Sequence, residues 1–464
     1  MCRVFVLVTL ICALGGALGC GAVSAAQPKP DQPQLTLTLS QAWQAALQND
    51  PTYKAAISER EAGQANRAMG RAGLLPQVSA SLRRTKTRGT LEEPDSFGAT
   101  MSSDLDYTAR TDEIRATQTV FNWSTIAAYR QGHSRADYSL AVFDTKAKDT
   151  SIRLINRYFQ TLLSYENVVI SQSKLDANEK QIVAAQRRYD TGEGTVTDVR
   201  ESKSRRDLAR ADLIKAQDEL VVAQRELQEM VGGSPRRLAA LKSDFKPLPL
   251  NPGSQAEWQA ASMAHNAEVR SGEFALRVSA QEVDRTFGGH LPTLDLVASR
   301  RKVEGETIST RDQQSTSTSV GIQLGLPIFS GGLTSAQVKQ ARHHRDQSAQ
   351  ELAATRERVA VEVTRQYQAV VSGAQRIEAL VVAVESSAEA LKAIEMGFQA
   401  GTRSIVDILD SQDQLYRSRL DLTQARLEYV LARLTLAGVA SVLDTATIDA
   451  VSQTYFGPDQ IVLD

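Results

Sequence analysis

Past Cys20 the chain has no cysteine; Cys2, Cys12 and Cys20 are its only three in 464 residues. Nothing beyond that point can form a disulfide or a thiolate metal site, so stability rests on packing. Aromatic residues make up only 5%. That disfavours one large globular core and leaves a composition rich in Ala, Gln, Arg, Glu and Leu, which suits long helices. Proline is absent between Pro94 and Pro235 and again between Pro327 and Pro458, so nothing in either interval forces a helix to stop. Charge of one sign is also lacking: 53 basic against 54 acidic side chains give a formal net charge of −1, which offers no field for nucleic acid. After the N-terminal segment no apolar run reaches the ~18 residues of a membrane helix. A membrane could then be crossed only by strands.

The N-terminus has one positive residue, Arg3, an apolar run from Val4 to about Leu18, and small residues Ser24, Ala25 and Ala26. This is the pattern of a secretory signal over residues 1–26, with all three cysteines inside it. Ala17-Leu18-Gly19-Cys20 also loosely matches a lipoprotein processing site, with Ala17 where that motif prefers Leu.

What the chain does contain is a repeat. GEGTVTDVRESK at 192–203 aligns with GTRSIVDILDSQ at 401–412 at an offset of 209, placing Gly192 on Gly401 and Asp198 on Asp407. The same order of features surrounds both copies. A Trp-bearing helix start opens each half, SQAWQAA at 40–46 and SQAEWQAA at 254–261. Leu-Pro follows, in LLPQVSASLRR at 74–84 and HLPTLDLVASRR at 290–301, and proline there ends a helix and pushes the chain toward extended backbone.

Alternation is cleanest in SVGIQLGLPIF at 319–329, with Val320, Ile322, Leu324, Leu326 and Ile328 on one face. Leu294, Leu296 and Ala298 form a second such row, Ile114, Ala116 and Val120 a third, and Val78, Ala80 and Leu82 the weakest. Each half thus predicts one hairpin of strands about 9–11 residues long, the length of a tilted membrane strand. Polar loops are expected at about 87–112 and 302–315. A soluble sheet with one buried face would give the same alternation.

Long proline-free helices are expected over about 124–190 and 334–398, each near 100 Å at 1.5 Å per residue. The shorter helices at 39–73 and 194–231, or 254–289 and 403–438, together match one long helix, as two short rods stacked end to end beside it would. Ile408, Leu415, Leu422, Tyr429 and Leu436 recur every seventh residue, with Ser411, Ser418, Ala425 and Ala432 between them. Large-then-small heptads of this kind let two helices approach closely in a coiled coil. The organisation expected is a first repeat at 27–235, a linker at 236–253, a second repeat at 254–441 and a tail at 442–464.

Four strands cannot close a barrel, and open edges are not tolerated in lipid. Two copies would give eight strands, whose interior fills with side chains, whereas three give twelve and leave a lumen. At this point the sequence resembles the TolC family of outer-membrane efflux ducts over nearly all the chain after the signal. The resemblance rests on TLTLSQAWQAALQNDP at 36–51, the paired Leu-Pro strand starts, PIFSGG at 327–332 and FQAGTRSIVDILDSQ at 398–412. It implies a mainly α, internally duplicated chain in a homotrimer, with a twelve-stranded β-barrel in outer-membrane lipid continued by a twelve-helix periplasmic α-barrel of coiled coils. It also implies docking with an inner-membrane transporter and a periplasmic adaptor, the membrane fusion protein, in drug efflux or type I secretion.

Under that resemblance Gly192 and Gly401 end the long helices and turn the chain at the periplasmic tip. Asp407 and Asp410, three apart on one helical face, would place two carboxylates per chain at the pore entrance and favour cations. An acid in the first helical turn also stabilises the helix dipole and needs no pore. The family's closing bonds join an Arg and a Tyr of the second turn to a Thr-Asp pair of the first. The matching residues here are Arg403, Thr197 and Asp198, but Phe398 stands at the tyrosine position, so one hydrogen bond of the latch should be missing and Arg403 with Asp198 should carry most of it.

The five histidines include no pair at i and i+4, and no phosphate-binding loop or activated nucleophile stands out, so no metal, cofactor or enzymatic chemistry is expected. The competing reading is a periplasmic coiled-coil adaptor or structural protein without a pore.

Overall fold

The computed structural model describes residues 36–94, 96–305 and 313–463. The signal segment, Cys20 and part of the second hairpin loop lie outside the described residues.

Each half begins with a broken helix. α1 (Leu39–Asn49) and α2 (Pro51–Ala72) stand where one helix over 39–73 is expected, and α5 (Gln255–His265) and α6 (Ala267–Phe287) where one over 254–289 is. Pro51 forces the first break, leaving Asp50 at ψ 119°, and its carboxylate caps the Thr52 and Tyr53 amides. No proline follows Asn266, yet it takes the same backbone, ψ 128°, and caps Glu268 and Val269 in the same way. Both breaks hold the end of another helix. Asn49 Nδ2 donates to the Val231 carbonyl at 2.9 Å and Asn266 Nδ2 to the Val439 carbonyl at 2.8 Å. These are the last residues of α4 (Val196–Val231) and α8 (Ile405–Val439), so short helices meet end to end as their lengths suggest.

The long partners are α3 (Trp123–Asp190, 68 residues) and α7 (Leu333–Gln399, 67 residues). α3 packs along α4 and α7 along α8. The small heptad residues Ala209, Ala216, Ala223, Ser418, Ala425 and Ala432 are all buried, as are Leu213, Leu227, Ile408, Leu415, Tyr429 and Leu436.

Between α2 and α3 the approach is closer still. A Cβ at Gly132 would lie 2.5 Å from the Asn66 carbonyl oxygen and 3.1 Å from Gly70 Cα, both backbone atoms that cannot step aside. Gly132→Val is therefore expected to wedge the two helices apart at a cost of about 1–3 kcal/mol. A thermal melt followed by helical circular dichroism reads it; an unchanged melting temperature would remove this contact from the packing argument.

β1 (Gln77–Pro94), β2 (Thr100–Phe121), β4 (Thr293–Gly305) and β5 (Gln313–Gly325) form one antiparallel sheet in the order β1-β2-β4-β5. The strands exceed the expected length, at 18, 22, 13 and 13 residues. The polar stretch expected as a loop at 87–112 is mostly ladder, with Arg88 opposite Asp106 and Pro94 opposite Thr100. Ladder hydrogen bonds need no apolar face, so a polar ribbon extends beyond the apolar rows. A bulge at Val120 shifts the phase so that Phe121 lies opposite Leu294.

The linker, and the tail for which no strand is expected, pair with each other. β3 (Arg237–Leu241) is antiparallel to β6 (Phe456–Val462), which follows α9 (Thr445–Tyr455), and Leu37 bridges to Leu238. Here the scarce aromatics gather: Phe245 meets Tyr455 at 5.0 Å between ring centroids, Tyr158 meets Phe456 at 6.0 Å, and Tyr158 donates to the Leu37 carbonyl.

Candidate functional site

The two repeated turns adopt one geometry. α3 ends at Asp190 and reverses through Gly192 at φ 81°, with Gly192 N donating to the Tyr189 carbonyl. α7 ends at Gln399 and reverses through Gly401 at φ 75°, with Gly401 N donating to the Phe398 carbonyl. Both glycines occupy left-handed backbone, as their positions in the repeat predict. The following helices start from matching capping boxes. Thr195 and Asp198 exchange hydrogen bonds at the head of α4, and Ser404 and Asp407 at the head of α8.

The turns are neighbours. Ile405 and Leu409 of α8 pack with Ala185 of α3 in a small apolar cluster that Val199 and Phe398 adjoin. Arg188 of α3 places its guanidinium 4.5 Å from the Phe398 ring centroid. The ring at the tyrosine position thus ties α7 to α3 by a cation–π contact in place of a hydroxyl.

Asp407 and Asp410 lie on α8 near the turn but are engaged differently. The Ser404 amide and hydroxyl hold the Asp407 carboxyl below the usual carboxylate range, with Arg403 adding to the effect. Asp407 therefore serves as the helix cap, the role open to any acid at that position. Asp410 is ion-paired with Arg205 of α4 at 2.9 Å. Thr197 and Arg403 are exposed, and Asp198 is turned to its own cap. Among the described residues no ion pair joins Arg403 to Asp198. Arg403 instead folds across Gly397, where an added Cβ would lie 2.8 Å from its Cγ. Sequence reasoning missed Arg188 and Arg205. The acids at 407, 410 and 413 recur every third residue along α8, but nothing in that spacing says which cation on another helix faces them.

The second candidate surface is the sheet. Its register aligns Val78, Ala116, Ala298 and Val320 across all four strands, with Leu296 beside Ile322 and Leu294 beside Leu324 in the next rows. Residues directly opposite share a face, so these form one apolar band. The other face carries Ser79, Arg115, Ser299 and Ser319 in one row. Among the described residues neither face is covered in one chain: Ile322 is 74% exposed and Val78 70% on the apolar face, and Ser79, Arg115 and Ser319 are exposed on the other. Among the described residues the outer edges of β1 and β5 are unpaired. The buried-face alternative requires a core beneath the sheet, and among the described residues there is none.

Comparison with known proteins agrees with this geometry. Residues 42–233 and 259–440 match the family described as outer membrane efflux protein. The chain is 32% identical over 421 residues to the alkaline protease secretion protein AprF of Pseudomonas aeruginosa, covering 90% of this chain and 87% of that protein. It is 25% identical to the outer membrane protein TolC of Escherichia coli, covering 90% and 85% respectively. The fold matches the Campylobacter jejuni CmeC outer membrane channel with a TM-score of 0.75 at 14% identity, covering 93% of this chain and 94% of that one.

Proposed function

This chain belongs to the outer membrane efflux protein family, and from that premise we propose that it is the exit duct of a type I secretion assembly, a homotrimer gated at its periplasmic tip. The fold is that of an outer-membrane channel with a periplasmic helical extension. One observation favours the duct over an adaptor without a pore: a four-stranded sheet with an apolar face, a polar face and two free edges. Neighbouring strands alternate in direction, so β5 of one subunit can pair antiparallel with β1 of the next, and three copies close twelve strands around a polar lumen. Similarity to a protease secretion protein favours secretion over drug efflux. The duct itself is passive, with energy supplied by an inner-membrane transporter reached through a periplasmic adaptor.

In this reading Gly192 and Gly401 form the tip turns, and Asp407 and Asp410 contribute the acid of the entrance. Arg403, exposed and without an ion pair among the described residues, is free to reach Thr197 or Asp198 of a neighbouring subunit. The test is isolation from outer-membrane fractions followed by planar-bilayer recording. Heat-resistant trimers that conduct ions are expected, whereas a monomer soluble without detergent would overturn the duct. Arg403→Ser should raise single-channel conductance, and an unchanged value in assembled trimers would remove Arg403 from the latch.

A further inference from the structure

We propose that Arg205 is a charge clamp that ties α4 to α8 behind the tip and, by neutralising acid there, sets both the resting conductance and the cation preference of the entrance. The proposal rests on the duct reading above and adds a determinant outside the repeated turns.

Arg205 sits at the centre of a network spanning three helices. Its Nε donates to Glu201 Oε1 on its own helix at 3.0 Å, and its terminal nitrogens reach Asp410 Oδ1 at 2.9 Å and Asp413 Oδ2 at 3.5 Å on α8. Asp413 also faces Lys174 of α3 at 3.2 Å, and Lys174 in turn pairs with Asp212 of α4 at 3.2 Å. Tyr416 completes the link by donating from α8 to the Ser173 carbonyl of α3 at 3.2 Å. Four carboxylates are therefore held by two cations. The forked, planar guanidinium offers Nε to Glu201 and its terminal nitrogens to Asp410 and Asp413 in one fixed geometry, which an ammonium in its place would not reproduce.

Two consequences follow from this arrangement. Moving α8 away from α4 must break the Arg205 contacts, so the clamp opposes widening of the entrance. Asp413 is only 20% exposed and Arg205 30%, so water and salt screen this pair less than a surface pair. The clamp also masks charge. Without the guanidinium, Glu201 and Asp410 would lose their counter-charge and Asp413 would keep only Lys174, deepening the negative potential that favours cations.

The two effects separate in planar-bilayer recordings of purified, heat-resistant trimers. Arg205→Gln is expected to raise conductance several-fold and to increase the cation-over-anion permeability ratio. Asp410→Asn breaks the same contact from the other side, so it should raise conductance while lowering that ratio. A loss of packing alone would not move selectivity in opposite directions. If Arg205→Gln does not assemble, Arg205→Lys keeps the charge but loses the fork, and should raise conductance with the ratio unchanged. Conducting wild-type trimers whose conductance and selectivity are unaltered by the variants that assemble would overturn the clamp alone. Wild-type trimers that insert but never conduct would overturn the duct reading, and the clamp with it.

Discussion

Replacing Asp50 with alanine is expected to destabilise the protein by about 2–4 kcal/mol, through loss of a helix cap and of a charge-assisted pair together. Asp50 is buried at the break between α1 and α2, at 2% exposure. Its Oδ1 accepts from the Thr52 and Tyr53 amides, and its Oδ2 from the Arg153 guanidinium of α3 at 2.5 Å. Alanine would leave two amides without an acceptor and Arg153 without a counter-charge. Arg153 is 39% exposed and can turn to water, which limits the loss. Asp50→Asn gives the contrast. Asparagine caps the corresponding break at Asn266, so it should keep the cap, lose the ion pair and fall between alanine and the wild type.

The pH dependence follows from the same contacts. Burial pushes the Asp50 carboxyl up, but the amide hydrogen bonds and Arg153 outweigh it and hold the group below its usual value. A carboxyl depressed on folding contributes stability that is present above its unfolded value, near ~3.9, and is lost as pH falls through the lower folded value. Thermal melts from neutral to acid pH should show the gap between wild type and Asp50→Asn closing in that window. A gap that persists unchanged at the acid end would rule out the ion pair as its source.

Ile322→Arg should abolish outer-membrane trimers. Ile322 lies in the middle rows of the apolar band, opposite Leu296 and next to the row of Val78, Ala116, Ala298 and Val320. An arginine on the lipid face near the bilayer midplane costs about 2–4 kcal/mol, and a trimer would meet that cost in every subunit. Gln323, one residue along, is on the polar face opposite Asp295, where Gln323→Arg meets water and an acid. Unheated gels of outer-membrane fractions should show trimers for Gln323→Arg and none for Ile322→Arg. Normal trimers from both variants would mean that lipid does not cover the band.

Much of this architecture is written in periodicity and punctuation. The proline-free intervals allowed helices of 68 and 67 residues, and the Leu-Pro pairs marked the approach to β1 and β4. The glycines of the 209-residue repeat became the left-handed residues of both turns. Such signals are local, because each is enforced by the dihedral limits of one residue or by the face a side chain must take. The break at Asn266 was harder to see, since no proline follows it; the side chain's own hydrogen bonds make the stop. The hairpin extension over 87–112 reads as loop because its residues are polar, although a ladder is held by backbone groups that every such residue has.

By itself the sequence determined the duplication, the long helices, the glycine turns that end them and the apolar row of each strand, because these depend on spacing along one chain. Only the tertiary structure decided which distant residues meet: β3 with β6, Arg188 with Phe398, and Arg205 with Asp410 and Asp413. A charge in a sequence has no address for its partner. Where α4 and α8 are brought side by side, geometry chooses among several acids of equal chemistry, and that choice turned Asp410 from a bare carboxylate into one half of a pair.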